Sequence, residues 1–386
     1  MIQYLTHDLI IHLILFQLAV LAVILGNIIL LHRSRKHAPP GDFPMVSILV
    51  PARNEEKNII RCIQSLLAQD YPSFEVLVLD DQSSDGTLAM LNRMAVSHPG
   101  LKVLPGSLPP EDRSGKNWAC SQLVCQAQGD LLFFTDADTV HQPHTLRALV
   151  TALTGEQADL ITGFPKQQVL TWSEKLLVPF FTWASISFVP LWLAYRTRAQ
   201  ALVAAVGQVM LFRREAYKKI GGHEALGRSI VDDLELARKI KAAGMRWRVV
   251  RVSDLVSCRM YHNGREAVGG FTKNLFAAFG FRLLPYLFVF LWLAVLFLAP
   301  LAVLISSAFG LAPAAQLGAL VACMGASVLL WIIPYMETGI PFYLGFLYPV
   351  TILVNEVIAF RSLLYSLTGR LSWKDRSLTK PDWKWF

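Results

Sequence analysis

Apolar residues collect in long stretches at the two ends of the chain, while the middle alternates between short apolar runs and polar segments. Residues 9–31 are almost wholly apolar and are long enough to cross a bilayer core of about 30 Å. Three more stretches of this kind, residues 283–306, 314–333 and 341–365, follow nearer the carboxyl terminus. The pattern predicts a folded middle block bracketed by membrane segments.

Charged residues that flank the first stretch predict its orientation. Asp8 precedes it, Arg33 and Arg35 follow it, and no small-residue cleavage site comes after it. Because basic residues favour the cytoplasmic side, we expect the amino terminus outside and the chain after Arg33 inside. We therefore predict a multi-pass protein of the inner membrane. Its expected parts are an anchor at 1–32, a linker at 33–44, a cytoplasmic domain at 45–280, a membrane region at 281–366 and a basic cytoplasmic tail at 367–386.

The number of crossings after the middle block is left open. Three crossings would leave the tail outside, although its basic residues favour the inside. Either one stretch is re-entrant or interfacial, or the tail breaks the rule; Glu337 and Glu356 make the last stretch the strongest candidate. We therefore expect two or three spanning helices there. Residues 176–195 are also apolar and contain Pro179 and Pro190, so they either lie in the membrane interface or pack in the core.

The middle block alternates between β-rich and helical segments. Residues 46–51 and 74–79 are β-rich runs. After the first run Asn54 is placed to cap a helix, and after the second run residues 83–87 form a turn that caps another. Strand, helix, strand, helix is typical of an α/β fold with a mostly parallel sheet and right-handed crossovers.

Paired acids stand where predicted strands end. Residues 131–138 predict a buried strand that ends in two carboxylates, Asp136 and Asp138. Such carboxylates repel each other unless a cation lies beside them, and Mg²⁺ or Mn²⁺ with a bound diphosphate is one solution. A solvated turn explains Asp-x-Asp alone equally well. However, parallel sheets bind ligands at the carboxyl ends of their strands, and Asp80 and Asp81 end the preceding predicted strand in the same way.

Lys116 and the pair Asp232–Asp233 are further candidates. Lys116 lies in a polar loop before a predicted helix, where it either neutralises a phosphate or is solvated, as most lysines are. Asp232 and Asp233 open another predicted helix, where acids complement the helix dipole. The alternative is a buried carboxylate whose raised pKa makes it a general base.

Composition narrows the choice of partners and excludes several kinds of site. The 386 residues carry a formal net charge of +8, are 54% hydrophobic and have a mean hydropathy of +0.42. In a chain with membrane segments this charge favours cytoplasmic flanks and anionic lipid, and no nucleic-acid-binding motif is present. The five cysteines are odd in number and form no Cys-x-x-Cys pair, so we expect reduced thiols rather than disulfides or a zinc site.

Seven short motifs of the middle block occur in an order that is typical of one family. They are residues 50–55 (VPARNE), 79–87 (LDDQSSDGT), 115–116 (GK), 136–138 (DAD), 213–215 (RRE), 221–222 (GG) and 232–234 (DDL). Any one of them is weak, whereas seven in order argue against a chance match. Residues 46–280 resemble a family 2 glycosyltransferase with the GT-A fold.

The resemblance implies a nucleotide site at the first two motifs. Pro51, Ala52 and Glu55 are similar to the family's contacts with the nucleotide base and ribose. The pair Asp80–Asp81 holds the acid that contacts uracil in the family, and either residue is a candidate. The expected donor is therefore a UDP-sugar.

The resemblance also implies a metal ligand and a base. Asp138 is similar to the ligand of Mn²⁺ or Mg²⁺ on the donor diphosphate, and Asp136 to the residue on the sugar or ribose side. Asp233 matches the general base, and Asp232 replaces the Glu that precedes the base in the family. Together with Lys116, Asp136 and Asp232 would complete the nucleotide-sugar site.

The expected acceptor is a membrane lipid. Processive polysaccharide synthases of the family carry Gln-x-x-Arg-Trp after the base, and this chain lacks that motif. The segment with Arg259, Tyr261 and Lys273 instead resembles members that glycosylate terpenoid, carotenoid, hopanoid or sphingolipid-type lipids. These residues either contact the lipid or product, or only anchor the chain at the interface. We expect a single inverting transfer, with a processive synthase or a non-catalytic membrane scaffold as alternatives.

Overall fold

The computed structural model describes residues 2–309, 317–373, 376–377 and 380–386. The chain divides into two compact units. The sheet unit consists of Ile28–Gln168 and Leu191–Met260. The helical unit consists of Met1–Asn27, Val169–Pro190 and Tyr261–Phe386.

Strands and helices alternate through the sheet unit, and helices dominate the helical unit. The strands are β1 (Val46–Ala52), β2 (Phe74–Asp80), β3 (Leu101–Pro105), β4 (Leu131–Phe134), β5 (Thr139–His141), β6 (Leu160–Thr162), β7 (Lys166–Gln167), β8 (Met210–Arg213), β9 (Trp247–Val249), β10 (Val256–Cys258), β11 (Ser372–Trp373) and β12 (Arg376–Ser377). The α-helices are α1 (Ile2–Arg33), α2 (Ile59–Leu67), α3 (Thr87–Ser97), α4 (Gly115–Gln126), α5 (Thr145–Gly155), α6 (Trp172–Leu177), α7 (Pro179–Phe188), α8 (Leu191–Ala194), α9 (Arg214–Lys219), α10 (Asp232–Ala242), α11 (Gly264–Ala278), α12 (Leu283–Ala308), α13 (Leu317–Thr338) and α14 (Tyr348–Thr368). Short 3-10 helices lie at His223–Leu226 and Phe342–Leu347.

The main sheet has the strand order β3-β2-β1-β4-β8-β6-β9. β1 runs parallel to both β2 and β4, with Ala52 opposite Asp80 and Leu49 opposite Phe134. β8 runs antiparallel to β4 and β6. The carboxyl ends of β1, β2 and β4 therefore meet at one edge, where open α/β sheets bind their ligands. A smaller sheet has the order β5-β10-β7.

Apolar strands form the buried core of the sheet unit. All of β4 is buried, and within β1 only Pro51 is partly exposed. Ile59, Ile63 and Leu66 of α2, spaced as the sequence predicts, are fully buried in the same cluster. Central strands covered on both faces are typical of parallel sheets. The predicted α/β architecture is therefore confirmed.

Two helices begin where the sequence does not predict. Asn54 does not cap α2, because it adopts a positive φ of 52° and α2 begins only at Ile59. The cause is tertiary, since residues 54–56 bond with the loop after β2 instead of starting a helix. α4 begins earlier than expected. The Ser114 hydroxyl caps it, so Lys116 lies in the first helical turn and not in a loop.

The segment between α1 and β1 is attached to the rest of the sheet unit. Arg35 forms an ion pair with Asp254. His37 Nε2 lies 3.0 Å from Glu156 Oε1. These contacts hold the end of α1 at a defined place on the sheet unit.

Within the helical unit, α12 and α14 pack antiparallel. Tyr286 OH, near the start of α12, donates to Ala359 O of α14 at 2.8 Å. The Phe297 ring, halfway along α12, lies 5.8 Å from the ring of Tyr348 in the first turn of α14. α14 therefore starts beside the middle of α12 and ends towards its beginning.

The end of the chain returns to the start of α12. Leu283 N donates to Lys384 O at 2.8 Å, and Lys384 N donates to Phe281 O at 2.9 Å. The end of the chain therefore lies beside the beginning of α12. Residues 314–316 of the preceding stretch and Lys374 of the tail lie outside the described residues.

Four segments of the described chain are long and apolar enough to cross a membrane. They are Asp8–Arg33, Leu283–Ala308, Leu317–Thr338 and Phe342–Thr368. They are candidates for membrane spans on the basis of length and composition alone. They coincide with the four apolar stretches that the sequence analysis identifies.

The apolar residues 176–195 form short helices, of which α7 packs inside the helical unit. Trp183 of α7 is fully buried and stacks on Trp331 at 3.8 Å between ring centroids. Its Nε1 donates to Leu330 O at 3.0 Å, as buried tryptophans require. These contacts favour core packing of α7 over an interfacial position.

Candidate active site

The loops that follow β1 and β2 are bonded to each other. Asp81 N donates to Ala52 O at 2.7 Å, next to the paired residues Ala52 and Asp80. The Arg53 guanidinium donates to Asp81 O at 2.7 Å and to Gln82 O at 3.2 Å. The predicted nucleotide contacts at the ends of the two strands therefore lie side by side.

Glu55 is held by the same pair of loops. Its backbone N donates to Thr87 Oγ1 at 2.8 Å, and its carboxylate accepts a bond from Asn58 Nδ2 at 2.9 Å. Asn54 accepts a bond from Ser84 N at 2.9 Å through its side-chain oxygen. Asparagine adopts the left-handed backbone of this turn more readily than most residues. The turn thereby fixes Glu55 near the carboxyl edge of the sheet.

Asp80 and Asp81 are both almost fully buried, at 4% and 6% exposure. Asp80 Oδ2 accepts a bond from Ser83 N at 3.2 Å, while its Oδ1 has no partner among the described residues. Buried carboxylate oxygens rarely lack a partner. Asp80 Oδ1 is therefore an acceptor that a ligand at this edge can satisfy.

The turn after β4 carries Asp136 and is braced by buried polar side chains. Thr139 Oγ1 donates to Asp136 O at 2.7 Å, and Thr135 Oγ1 donates to Gln208 O at 2.8 Å. Both hydroxyls lie within 3.1 Å of His141 Nε2, and burial lowers the pKa of His141 to about 3. The neutral imidazole and the two threonines fix the turn. Short polar residues beside a turn give no distinctive signal in the sequence, so their role is visible only in the structure.

Lys116 lies between acids from two different segments. Its Nζ is 3.0 Å from Asp136 Oδ1 and 3.3 Å from Asp232 Oδ2. Burial alone would lower the pKa of Lys116, but these carboxylates raise it well above its ordinary value. Burial would likewise raise the pKa of Asp232, but Lys116 and His223 hold it below its ordinary range. The charged lysine thus joins the turn after β4 to the start of α10.

Asp233 is held by backbone donors beside this pair. Its Oδ2 accepts a bond from Gly207 N at 3.0 Å, and its Oδ1 accepts one from Leu234 N at 2.8 Å. Burial, and next the charge of Asp232, raise the pKa of Asp233 to about 6. A Cβ atom at Gly207 would lie 3.1 Å from Lys116 Nζ, so glycine permits this close approach. We call Lys116, Asp136, Asp232 and Asp233 the carboxylate cluster.

A buried histidine lies behind Asp232. His223 Nε2 is 3.9 Å from Asp232 Oδ2, and its Nδ1 is 2.7 Å from Tyr217 OH. Burial lowers the pKa of His223, although Asp232 opposes the shift. A Cβ atom at Gly222 would overlap the Tyr217 ring, so the Gly221–Gly222 motif makes room for the contact. The two glycines are recognisable in the sequence as a motif, whereas His223 and Tyr217 carry no signal there.

Two buried thiols, Cys62 and Cys258, lie near both the loop after β1 and the Asp-x-Asp turn. Burial raises the pKa of the Cys62 thiol to about 12, and the carboxylates of Asp138 and Glu55 add to the effect. Burial and then Asp138 and Asp136 raise the pKa of Cys258, and Glu55 contributes there too. Charges act on one thiol only from nearby. Glu55 and the Asp-x-Asp turn therefore share one neighbourhood.

Residues 47–221 match the sequence profile of the family described as Glycosyl transferase family 2. This segment is a family 2 glycosyltransferase domain. The resemblance drawn from the seven motifs is confirmed, and with it the GT-A type of α/β fold and the transferase class of the family. Asp232 and Asp233 lie beyond the matched residues, so their part in the site depends on the geometry.

Relatives of the glycosyltransferase domain include two proteins that are named after lipids. The chain is 28% identical over 212 residues to probable glycosyltransferase YdaM of Bacillus subtilis, covering 54% of this chain and 49% of that protein. It is 26% identical over 235 residues to 4,4'-diaponeurosporenoate glycosyltransferase of Staphylococcus haemolyticus, covering 60% of each. It is 28% identical over 234 residues to beta-monoglucosyldiacylglycerol synthase of a Synechocystis species, covering 57% and 46%. The matches therefore span about half of the relatives' length.

The glycosyltransferase domain offers oxygen ligands for a divalent cation at the turn after β4. Asp136 and Asp138 are hard carboxylate ligands of the kind that Mg²⁺ and Mn²⁺ prefer. Within the described ranges, no three His, Cys, Asp or Glu side chains gather into a self-sufficient metal site. Mg²⁺ is commonly held by one or two carboxylates together with substrate phosphates. The residues present therefore fit a cation that is bound with a diphosphate.

The three predicted acceptor residues follow the end of the glycosyltransferase domain. Arg259 comes directly after β10 in the sheet unit, and Lys273 is a half-buried residue of α11 in the helical unit. Tyr261 is 4% exposed, and a Cβ atom at Gly270 would overlap its hydroxyl. Tyr261 therefore packs closely on α11.

Proposed function

We propose that the chain transfers one sugar from a UDP-sugar to a membrane lipid, with inversion and with the help of Mn²⁺ or Mg²⁺. The acceptor class is a terpenoid, carotenoid, hopanoid or sphingolipid-type lipid. The observation that carries the proposal is Asp233, a half-buried carboxylate whose pKa is raised to about 6 beside the Lys116–Asp136 pair. A base with a pKa near the working pH takes up a proton efficiently.

We place the nucleotide at the carboxyl edge of β1 and β2. Pro51 and Ala52 end one strand there, and Glu55 is fixed in the turn that follows. Asp80 Oδ1, buried and without a described partner, suits the N3–H donor of uracil. Asp81 is the second candidate for this contact. The uracil contact is the reason for choosing a UDP-sugar as donor.

We place the diphosphate at the turn after β4. Asp138 would hold the divalent cation, and Asp136 faces the sugar or ribose side. The cation supplies positive charge against the charge that develops on the departing diphosphate. Lys116, tied to Asp136 at 3.0 Å, is positioned to add a second positive charge there.

Asp233 takes the proton of the acceptor hydroxyl while that oxygen attacks the anomeric carbon. The bond from this carbon to the diphosphate oxygen breaks in the same step, and the nucleoside diphosphate leaves with the electron pair. One in-line displacement inverts the anomeric configuration. Gly207 N and Leu234 N orient the carboxylate for this role. Lys116 keeps Asp232 ionised, so Asp233 is the member of the pair that titrates near neutral pH.

A lipid acceptor is supported by two features. Relatives named for diaponeurosporenoate and glucosyldiacylglycerol share the domain. Four described segments, moreover, have the length and composition of membrane spans. Arg259 and Lys273 remain candidates for binding an anionic lipid or the product diphosphate, whereas the burial of Tyr261 favours packing. We place the protein in the inner membrane with the sheet unit in the cytoplasm, where nucleotide-sugars are made.

The test is mass spectrometry of membrane lipids from cells with and without the gene. We expect one lipid species to gain the mass of a single sugar. An Asp233→Asn chain produced at the same level should give no such species. A ladder of added sugars would instead identify a processive synthase. Calorimetry of the purified protein with UDP and Mn²⁺ checks the donor site, and the absence of binding would favour the scaffold.

A further inference from the structure

A cavity of about 340 Å³ lies in the sheet unit at the end of α1 and shares no lining residue with the carboxylate cluster. Its walls come from the segment after α1, from α5 and from the loop between β9 and β10. Arg35, Arg147 and Arg251 line it together with His144, and the only lining carboxylate among the described residues is Asp254. We call it the arginine cavity.

The lining of the arginine cavity carries more basic than acidic side chains. Arg35 pairs with Asp254. Burial would raise the pKa of Asp254, but Arg35 and then Arg251 lower it. Arg147 lies 3.3 Å from Asp70, an exposed residue outside the lining. Because exposed ion pairs contribute little stability, these side chains can turn towards an anion at small cost.

The arginine cavity lies close to the end of the apolar part of α1. Arg35 N donates to His32 O at 3.4 Å, so the chain keeps a helical course past Arg33. At 1.5 Å per residue, Arg35 lies about 3 Å beyond the candidate span Asp8–Arg33. Bilayer headgroup layers add roughly 5–7 Å on each side of the hydrocarbon core. With α1 inserted, as the proposed function requires, Arg35 lies at headgroup depth.

We propose that the arginine cavity binds the phosphate of an anionic phospholipid headgroup. Planar guanidinium groups bind phosphate oxygens with paired hydrogen bonds. Arginines beside a membrane also gain from the negative surface potential of anionic lipids. The bound headgroup holds the sheet unit at the bilayer surface through contacts that the transfer chemistry does not use. The inference rests on the membrane insertion in the proposed function but not on the role of Asp233.

The test titrates the full-length protein in neutral detergent with phosphatidylglycerol or phosphatidylcholine, and native mass spectrometry counts the bound lipid. We expect one preferred phosphatidylglycerol per chain. The double variant Arg35→Gln/Arg147→Gln should weaken this binding about thirtyfold. Arg93→Gln, which removes an exposed arginine from α3, is the matched control and should bind like the wild type.

Thr151→Glu gives an independent variant, because Thr151 lines the cavity and a new carboxylate there repels phosphate while all three arginines remain. Thermal unfolding midpoints verify that each variant is folded. Wild-type affinity for phosphatidylglycerol in both variants would overturn the proposal. Displacement of the lipid by inorganic phosphate at equal concentration would also overturn it and assign the cavity to soluble phosphate.

Sugar transfer is measured on the same samples in neutral detergent. We expect it unchanged in the cavity variants, because none of the altered residues belongs to the carboxylate cluster. A protein that binds phosphatidylglycerol through these arginines but transfers no sugar would disprove the proposed enzymatic function and support the lipid site. A protein that transfers sugar but shows no preference for phosphatidylglycerol would support the enzymatic function and disprove the lipid site.

Discussion

At the residue scale, the site depends on the unequal surroundings of two adjacent carboxylates. Asp232 faces Lys116 at 3.3 Å, with His223 behind it, whereas Asp233 is bonded to two backbone N–H groups. Carboxyl groups in different surroundings titrate apart, and this separates an ionised partner from a base near neutral pH. In the proposed mechanism Asp232 therefore helps to orient the site, and Asp233 is the base.

Asp233→Asn should remove the base and leave the fold intact, because the amide has nearly the same shape. We expect kcat to fall about 10²–10⁴-fold while UDP affinity is unchanged. Steady-state kinetics and calorimetry measure the two effects. Asp130→Asn, which alters an exposed carboxylate directly before β4, is the control and should be fully active. Normal turnover by the Asp233 variant would remove this residue from the mechanism.

The pH profile should report the raised pKa of Asp233. A base works in its deprotonated form, so kcat/KM should fall tenfold per pH unit below about 6. Asp232→Asn removes a charge that raises this pKa, and the acid limb should therefore move to lower pH. The measurement is kcat/KM of the wild type and the Asp232 variant between pH 4 and 8, about two units either side of the pKa. An acid limb that stays in place belongs to another group.

At the element scale, the loops that follow the strands hold the candidate site residues in place. The loops after β1 and β2 are bonded to each other, and the turn after β4 is bonded to α4 and α10 through Lys116. A residue in one loop therefore affects the position of residues in another. The start of α4 at Ser114 belongs to this arrangement, since it brings Lys116 to the acids.

Thr87→Val tests the bond between the loops that follow β1 and β2. Thr87 is fully buried, and its hydroxyl accepts the bond from Glu55 N. Valine has the same shape, but leaving this donor unpaired costs about 1–3 kcal/mol. We expect a lower thermal midpoint and about tenfold weaker UDP binding, since 1.4 kcal/mol is a factor of ten. Thr154→Val, on the exposed face of α5, should change neither value.

Gly207→Ala tests the close approach in the carboxylate cluster. The new Cβ atom would lie 3.1 Å from Lys116 Nζ and 3.7 Å from Asp136 Oδ2, so the lysine must move. Small displacements in a reacting site reduce rates strongly, and we expect transfer to fall about tenfold or more with little loss of stability. Gly100→Ala, which has open space around its Cβ position, is the matched control. Full activity of the Gly207 variant would show that Lys116 is not critically placed.

At the scale of the whole molecule, contacts within the helical unit fix where the tail of the chain lies. α14 begins beside the middle of α12, and Lys384 bonds with Leu283 at the start of α12. The tail is therefore on the side where α12 begins. In the proposed orientation α12 begins on the cytoplasmic side, so this position agrees with the basic character of the tail.

Cysteine labelling tests the orientation. Cys125 is exposed, whereas the other four cysteines are buried. If the sheet unit lies in the cytoplasm, as we propose, a membrane-impermeant maleimide should label Cys125 in inverted vesicles but not in intact spheroplasts. Cys125→Ala should abolish the labelling of inverted vesicles. Labelling of intact spheroplasts would place the sheet unit outside, away from the nucleotide-sugar pool.

Sequence alone determined the features that depend on residue periodicity and local composition. Strand positions, the four apolar segments and the ordered motifs are of this kind, because burial repeats along a strand or helix whatever its neighbours are. The same reasoning placed Asp136, Asp138, Asp232 and Asp233 at element ends. The sequence could not show that Asp136 and the pair Asp232–Asp233 meet, since about a quarter of the chain separates them.

The tertiary structure decided the contacts between distant segments. It turned Asn54 away from a helix cap, placed Lys116 between two acids, and added His141 and His223 as buried supports. It also set the pKa of Asp233, because burial and a neighbouring charge are properties of the packed site and not of the residue. Local pattern fixes which groups stand at the strand ends, and only packing fixes which of them meet and in which charge state.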